Sequence, residues 1–222
     1  MDLTDGYRTL LKEGASEFIV HKSRFIGYGA PCQTEQEALS FLSRIRAKHA
    51  DATHNCYAYV IGINAGIMRY SDDGEPGGTA GLPIIEVIRA RGIVDCAVVV
   101  TRYFGGVLLG TGGLVRAYTE GCKSALDASG IVVMRKTVRL LTEVDYSTWQ
   151  RLQYALQRLP CIIENTEYGV SVVVTLLIPI VSETLLVSEI TRITDGRADM
   201  LRGEELYYPW PEKAEENKEK QP

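Results

Sequence analysis

The chain has 222 residues, a formal charge of -4 and 45% hydrophobic against 23% charged side chains. That composition excludes a disordered or collagenous chain and leaves room for two small cores. No apolar run approaches the roughly 18 residues of a membrane-spanning helix, since the longest candidate, Val170 to Val181, is interrupted by Thr175 and Pro179.

The amino-terminal stretch, Met1 to Glu13, is acidic and polar with no signal-peptide pattern, so a cytoplasmic protein is expected. Residues 1–136 hold 15 basic and 14 acidic side chains, while 137–222 hold 9 and 14, so the acidity belongs to the second half. Five scattered cysteines and three histidines give neither a disulfide framework nor paired metal-ligand spacing.

In chain order, Glu17 to Val20 and Arg24 to Ala30 read as strands joined by a polar turn that exposes Lys22 and Arg24. Thr34-Glu-Gln-Glu37 has capping-box spacing and opens a helix to about His49. Cys56 to Ile63 alternates as a strand, and Ile93 to Thr101 reads as a strand buried on both faces. Between them, Ala65 to Leu82 shows little periodicity and is long for a loop without a task. A glycine-rich stretch, Arg102 to Gly113, leads into a helix from Leu114 to Ala128 that Gly130 closes, and Ile131 to Arg135 ends a first domain.

The second half alternates more cleanly. Strand Thr137 to Asp145, helix Thr148 to Leu159, a hairpin of Cys161 to Tyr168 and Val170 to Ile178, helix Val181 to Ile193 and strand Arg197 to Tyr207 give βαββαβ, the ferredoxin-like order. The expectation is therefore an α+β protein with a first domain at 1–136, a ferredoxin-like domain at 137–208 and a disordered charged tail at 209–222. Tyr207-Tyr-Pro-Trp210 is a candidate partner anchor, or else a cover for the domain's own sheet.

Two segments carry the candidate chemistry. Tyr70 to Gly81 combines Gly74, Gly77, Gly78 and Gly81 with Asp72, Asp73 and Glu75. The three carboxylates can hold Mg²⁺, or the loop's amides and the Thr79 hydroxyl can recognise an anion, or these residues can simply cap turns and pair with Arg69 or Arg102. Thr101 to Arg116 fits neither a P-loop nor a dinucleotide fingerprint. Its free amides at Thr111, Gly112 and Gly113, beside Arg102 and Arg116, suit phosphate or carboxylate, and Tyr103 and Phe104 offer a stacking platform if exposed. The alternative is that both aromatics are core and the glycines serve helix packing.

Lys22-Ser-Arg-Phe-Ile26, His54-Asn-Cys-Tyr-Ala-Tyr59, Tyr70 to Gly81, Arg102-Tyr-Phe-Gly105-Gly106 and Leu109 to Tyr118 resemble the IMPACT family in its bacterial branch, over about residues 15–135. The resemblance implies a first domain similar to the fourth domain of translation factor G, of the ribosomal protein S5 domain 2-like class, followed by a ferredoxin-like domain. Eukaryotic relatives are linked to translational control under amino-acid starvation and carry a different additional domain, so their partner is not expected here. The leading expectation is a protein that binds RNA or the ribosome, with Lys22, Arg24, Arg102 and Arg116 on phosphates and Tyr103 or Phe104 stacking on bases. The alternatives are an enzyme with Mg²⁺ on Asp72, Asp73 and Glu75 and His54 as acid or base, and a protein-interaction module or homodimer. No cofactor is otherwise expected.

Overall fold

A computed structural model describes residues 6–211. The described chain divides into two compact units: Tyr7–Val133 with Trp210 and Pro211 in one, Gly6 with Met134–Pro209 in the other. The division falls inside one strand, three residues before the boundary expected at 136.

The first unit holds strands β1 (Tyr7–Leu10), β2 (Gly14–Val20) and β3 (Ser23–Pro31), helix α1 (Glu35–Lys48), strands β4 (His54–Ile61) and β5 (Ile67–Ser71), helix α2 (Gly81–Ala90), strand β6 (Cys96–Tyr103) and helix α3 (Gly110–Ser129). Its sheet runs β2-β3-β6-β4-β5, with every neighbouring pair antiparallel. The period of two along β6 explains the layering. Val98 and Val100 face a core shared with α2 and α3, whereas Ala97 and Val99 face a second core built on Phe41, Leu42 and Ile45 of α1. Helices thus cover both faces of the sheet.

The β2–β3 turn is a two-residue hairpin in which His21 and Lys22 both have positive φ, 46° and 65°, the backbone that matches strand twist. Thr34 caps α1 by accepting from the Glu37 amide at 3.2 Å, and the Glu37 carboxylate accepts from the Gln33 amide at 2.7 Å. Helix α3 lies against β3 at backbone distance: a Cβ on Gly27 would collide with the Gly121 carbonyl.

The second unit contains most of β7 (Ile131–Val144), then α4 (Tyr146–Leu156), β8 (Ile162–Tyr168), β9 (Val172–Pro179), α5 (Glu183–Ile193) and most of β10 (Asp199–Pro211). β7 and β8 both pair antiparallel with β9, and β10 pairs with β7. Trp149, Leu152 and Leu156 of α4 and Leu186, Ile190 and Ile193 of α5 pack on Val138, Leu140, Val172, Val174 and Leu176. Ile131 to Arg135, expected to end the first domain, runs on into the strand expected from Thr137, so that β7 is continuous to Val144. β10 extends through Pro211, three residues into the expected tail, and Trp210 is buried. The rest of that tail, from 212, lies outside the described residues.

Asp95, in the turn before β6, has φ 51° and accepts from the Gly62 amide at 2.7 Å. Burial raises its pKa. The folded chain therefore holds this proton more tightly than the unfolded one, and stability falls as pH rises from the ordinary aspartate value toward the raised one. Asn keeps the acceptor and tolerates this backbone. Asp95→Asn is expected to raise the urea midpoint at pH 7, a gain that shrinks as pH falls through the normal aspartate range.

Candidate functional site

The loop from Tyr70 to Gly81 is organised from within. Asp72 accepts from three amides: Ala80 at 3.0 Å and Gly81 at 2.8 Å on Oδ1, and Gly78 at 2.9 Å on Oδ2. Asp73, at φ 46°, accepts from the Asn55 amide at 2.7 Å and from Arg46 at 3.1 Å. The Thr79 hydroxyl is buried and donates to the Pro76 carbonyl at 2.7 Å.

Asp72, Asp73 and Glu75, the alternative Mg²⁺ ligands, each serve a different set of partners. Among the described residues no group of three His, Cys, Asp or Glu side chains is placed to hold a metal ion. Thr79 is likewise committed to the loop and does not present its hydroxyl to a ligand.

Glu75 points inward from this loop. Its Oε1 accepts from Arg102 Nη1 and from the Tyr118 hydroxyl, both at 2.7 Å, and both side chains of the ion pair are almost fully buried. Burial pushes the Tyr118 phenol far above its usual pKa, so it remains a donor. The Arg102 guanidinium lies between the rings of Phe25 and Phe104, 5.5 and 5.4 Å from their centroids. Arg102 is therefore an internal counter-ion, not the surface phosphate contact expected. His54 stands opposite: its Nδ1 is 2.7 Å from the Asp73 carbonyl oxygen, and its Nε2 is 3.9 Å from Glu75 Oε2.

Other expected contacts are also taken. Arg24 is held by both Glu17 oxygens, at 2.7 and 2.8 Å. Tyr103 donates to Asp51 at 3.0 Å and meets His49 at 2.9 Å, so it anchors a polar chain instead of stacking on bases. Phe104 is 46% exposed and stays available. Gly105 donates to the Ser23 hydroxyl at 3.2 Å and packs on the Lys22–Ser23 backbone, which leaves no room for a Cβ, while Gly106 has φ 80°. Burial lifts the Cys56 thiol to about 12, and its Sγ donates to the Asp72 carbonyl at 2.9 Å, so it is no nucleophile. Ser71 accepts from the Asp73 amide at 3.1 Å.

What remains open lies around the start of α3. The helix begins at Gly110, four residues earlier than expected, and no side chain caps it. Thr111, Gly112 and Gly113 thus occupy its first turn, where amides lack intrahelical acceptors. A groove of about 560 Å³ between β2 and α3 is lined by His21, Arg116 and Lys123, together with Glu120. Lys22 is exposed at the adjoining turn. Lys22, Arg116 and Lys123 form no ion pair among the described residues. Lys123 escaped the sequence reading, although its spacing of seven from Arg116 on a helix puts both on one face.

The Impact N-terminal domain family matches residues 21–126, and a domain of unknown function matches 142–197. The chain is 41% identical to the IMPACT family member YvyE of Bacillus subtilis over 203 residues, covering 90% of this chain and 93% of that one. It belongs to the IMPACT family. YigZ, an IMPACT family member of Escherichia coli, is 33% identical over 190 residues, covering 84% and 92% of the two chains. A crystal structure of a protein described only as hypothetical matches with a TM-score of 0.57 and 29% identity, over 89% of this chain and 97% of that one. In this IMPACT family chain the first match contains every candidate residue above, from His21 to Lys123. No helix among its described residues is long and apolar enough to cross a membrane.

Proposed function

We propose that this IMPACT family protein is a cytoplasmic RNA-binding protein of the translation apparatus that meets ribosomal RNA through the groove between β2 and α3. The observation that supports the reading is a set of cations without ion pairs among the described residues, Arg116 and Lys123 in the groove and Lys22 at the adjoining turn, next to an uncapped helix amino terminus. Such a surface holds a phosphate backbone without reading bases, and the half-exposed Phe104 adds a stacking surface nearby. The first unit in this reading is similar to the fourth domain of translation factor G. The βαββαβ order of the second unit, with its β10-β7-β9-β8 neighbours, supports a ferredoxin-like domain.

Sedimentation with ribosomal subunits over a salt series tests the proposal. Each of Lys22→Ala and Arg116→Ala is expected to weaken binding and to lower the log-affinity against log-salt slope by about 0.7–0.9. Arg24→Ala, which removes a residue already paired with Glu17, is expected to change little. Absence of binding at low salt would overturn the proposal.

Glycine supplies a second test. Gly112 carries neither a left-handed φ nor a crowded Cβ, whose nearest neighbour would be Arg116 Nη1 at 3.7 Å. Inside a helix that choice costs about 1 kcal/mol relative to Ala. Gly112→Ala is expected to raise thermal stability slightly and yet to weaken ribosome binding, because the methyl group holds phosphate away from the amides.

A further inference from the structure

A second cleft in the same unit, of about 430 Å³, has a different character: its floor is His54, Glu75 and Arg102, and its walls include Phe104, Leu108 and Leu114. Three polar atoms in it make no hydrogen bond within the described residues, and one of them is fully buried. The Asp73 carbonyl can only accept, so His54 Nδ1 carries a proton, which in the neutral imidazole leaves Nε2 as an acceptor beside the cleft. Glu75 Oε2, also an acceptor, faces it from 3.9 Å, too far for a hydrogen bond and near enough for one donor to reach both. The third feature is Arg102 Nε, buried without a partner on a side chain 94% shielded from solvent. An orphaned donor of this kind is uncommon in a finished core.

The surroundings are built to hold these groups still. Asp72 and Asp73 lock the loop that aims Glu75, and a Cβ on Gly74 would press on the His54 ring at 3.3 Å. Gly110 and Thr111, with first-turn amides of α3, form part of the rim, and Leu108 stands 85% exposed beside them. The cleft therefore offers two converging acceptors at one point, positive potential from the helix end and the guanidinium, and apolar walls.

We propose that this cleft binds a small phosphomonoester bearing a hydroxyl group: the hydroxyl donates between His54 Nε2 and Glu75 Oε2, and the phosphate sits toward Arg102 and the first turn of α3. Entry of the phosphate past the half-exposed Phe104, which covers the guanidinium, brings it to the orphaned Nε. A free sugar phosphate and the phosphorylated end of an RNA chain share this chemistry. The cleft meets the groove between β2 and α3 at the start of α3, where Leu109 lines both, but His54, Glu75 and Arg102 line the cleft alone, so its hydroxyl subsite is tested apart from the RNA-binding reading.

Calorimetric titration of the full chain decides it, with ribose 5-phosphate, ribose, inorganic phosphate and a short 5′-phosphorylated oligoribonucleotide as probes. Ribose 5-phosphate or the oligonucleotide is expected to bind at least about tenfold more tightly than ribose or phosphate alone, and whichever of the two binds better identifies the source. His54→Asn keeps a donor for the Asp73 carbonyl while removing Nε2, and Leu108→Asp puts a negative charge at the mouth on a side chain that supports no core. Each is expected to weaken the better probe about tenfold, with the thermal midpoint of Leu108→Asp unchanged. His54→Asn alone should leave inorganic phosphate binding unaltered. The proposal is overturned if the two-group probes bind no better than their halves, or if both substitutions leave affinity within about twofold.

Discussion

Glu75→Ala is expected to destabilise the protein by about 3–5 kcal/mol, the range for removing one partner of a buried ion pair. The Arg102 side chain is only 6% exposed and cannot shed its charge, so the substitution leaves a cation between Phe25 and Phe104 with no counter-ion. It also leaves the Tyr118 hydroxyl, fully inside the core, without its acceptor. Glu75→Gln should cost less, since a carbonyl oxygen still accepts from both donors and only the charge is lost. Replacing Glu75 and Arg102 together with Leu and Met removes the charges in concert, and is expected to recover most of the loss. Urea unfolding of the four proteins measures this directly. Equal destabilisation by the single and double replacements would show that packing, not charge, holds the pair.

The sequence made the strands and helices with one dominant period readable. Thr34 to His49 and the whole βαββαβ half appear where their apolar spacing puts them, within a few residues. α2 was not readable for a different reason. Gly81 and Pro83 at its start read as loop residues, so the exposed stripe of Leu82, Glu86 and Arg89 that marks its outer face was left unassigned. β5 was hidden within a glycine-rich stretch, because its pairing with β4, not its composition, makes it a strand. The first part of β7 was not readable as the start of the strand from Thr137, because Arg135 and Lys136 interrupt the apolar alternation, while its backbone continues unbroken.

The candidate site was legible as two segments but not as a geometry. His54, Glu75 and Arg102 were each picked out, and nothing in their spacing shows that they converge. Their convergence depends on β4 pairing with β6, which sets His54 opposite Arg102 in register, and on the loop that returns Glu75 over both. Tyr118 was missed because a tyrosine on the apolar face of a helix reads as core, and its hydroxyl partner lies 43 residues away. Conversely, Arg24, Thr79 and Tyr103 have the right chemistry for a ligand and are spent on local bonds. Composition cannot distinguish a free donor from a committed one.

Asp72 shows how far one committed side chain can matter. Its carboxylate gathers the amides of Gly78, Ala80 and Gly81, the last two at the start of α2, whose own N-cap residue, Ala80, has no side chain to serve. A negative group at that position satisfies orphan donors and sits favourably in the helix field, so it acts as the cap from nine residues upstream. Asp72→Ala removes three charge-assisted bonds at once, and a loss of about 3 kcal/mol is expected, less than the sum of separate bonds because water replaces some of them. Asp72→Asn should fall between: one oxygen still accepts from Ala80 and Gly81, while its amide group opposes the Gly78 N–H. Hydrogen exchange locates the effect, with the amides of Gly78, Ala80 and Gly81 losing protection in Asp72→Ala before those of β6. Uniform loss of protection across the unit would mean that the loop has no separate stability, and that Asp72 holds the whole sheet together through it.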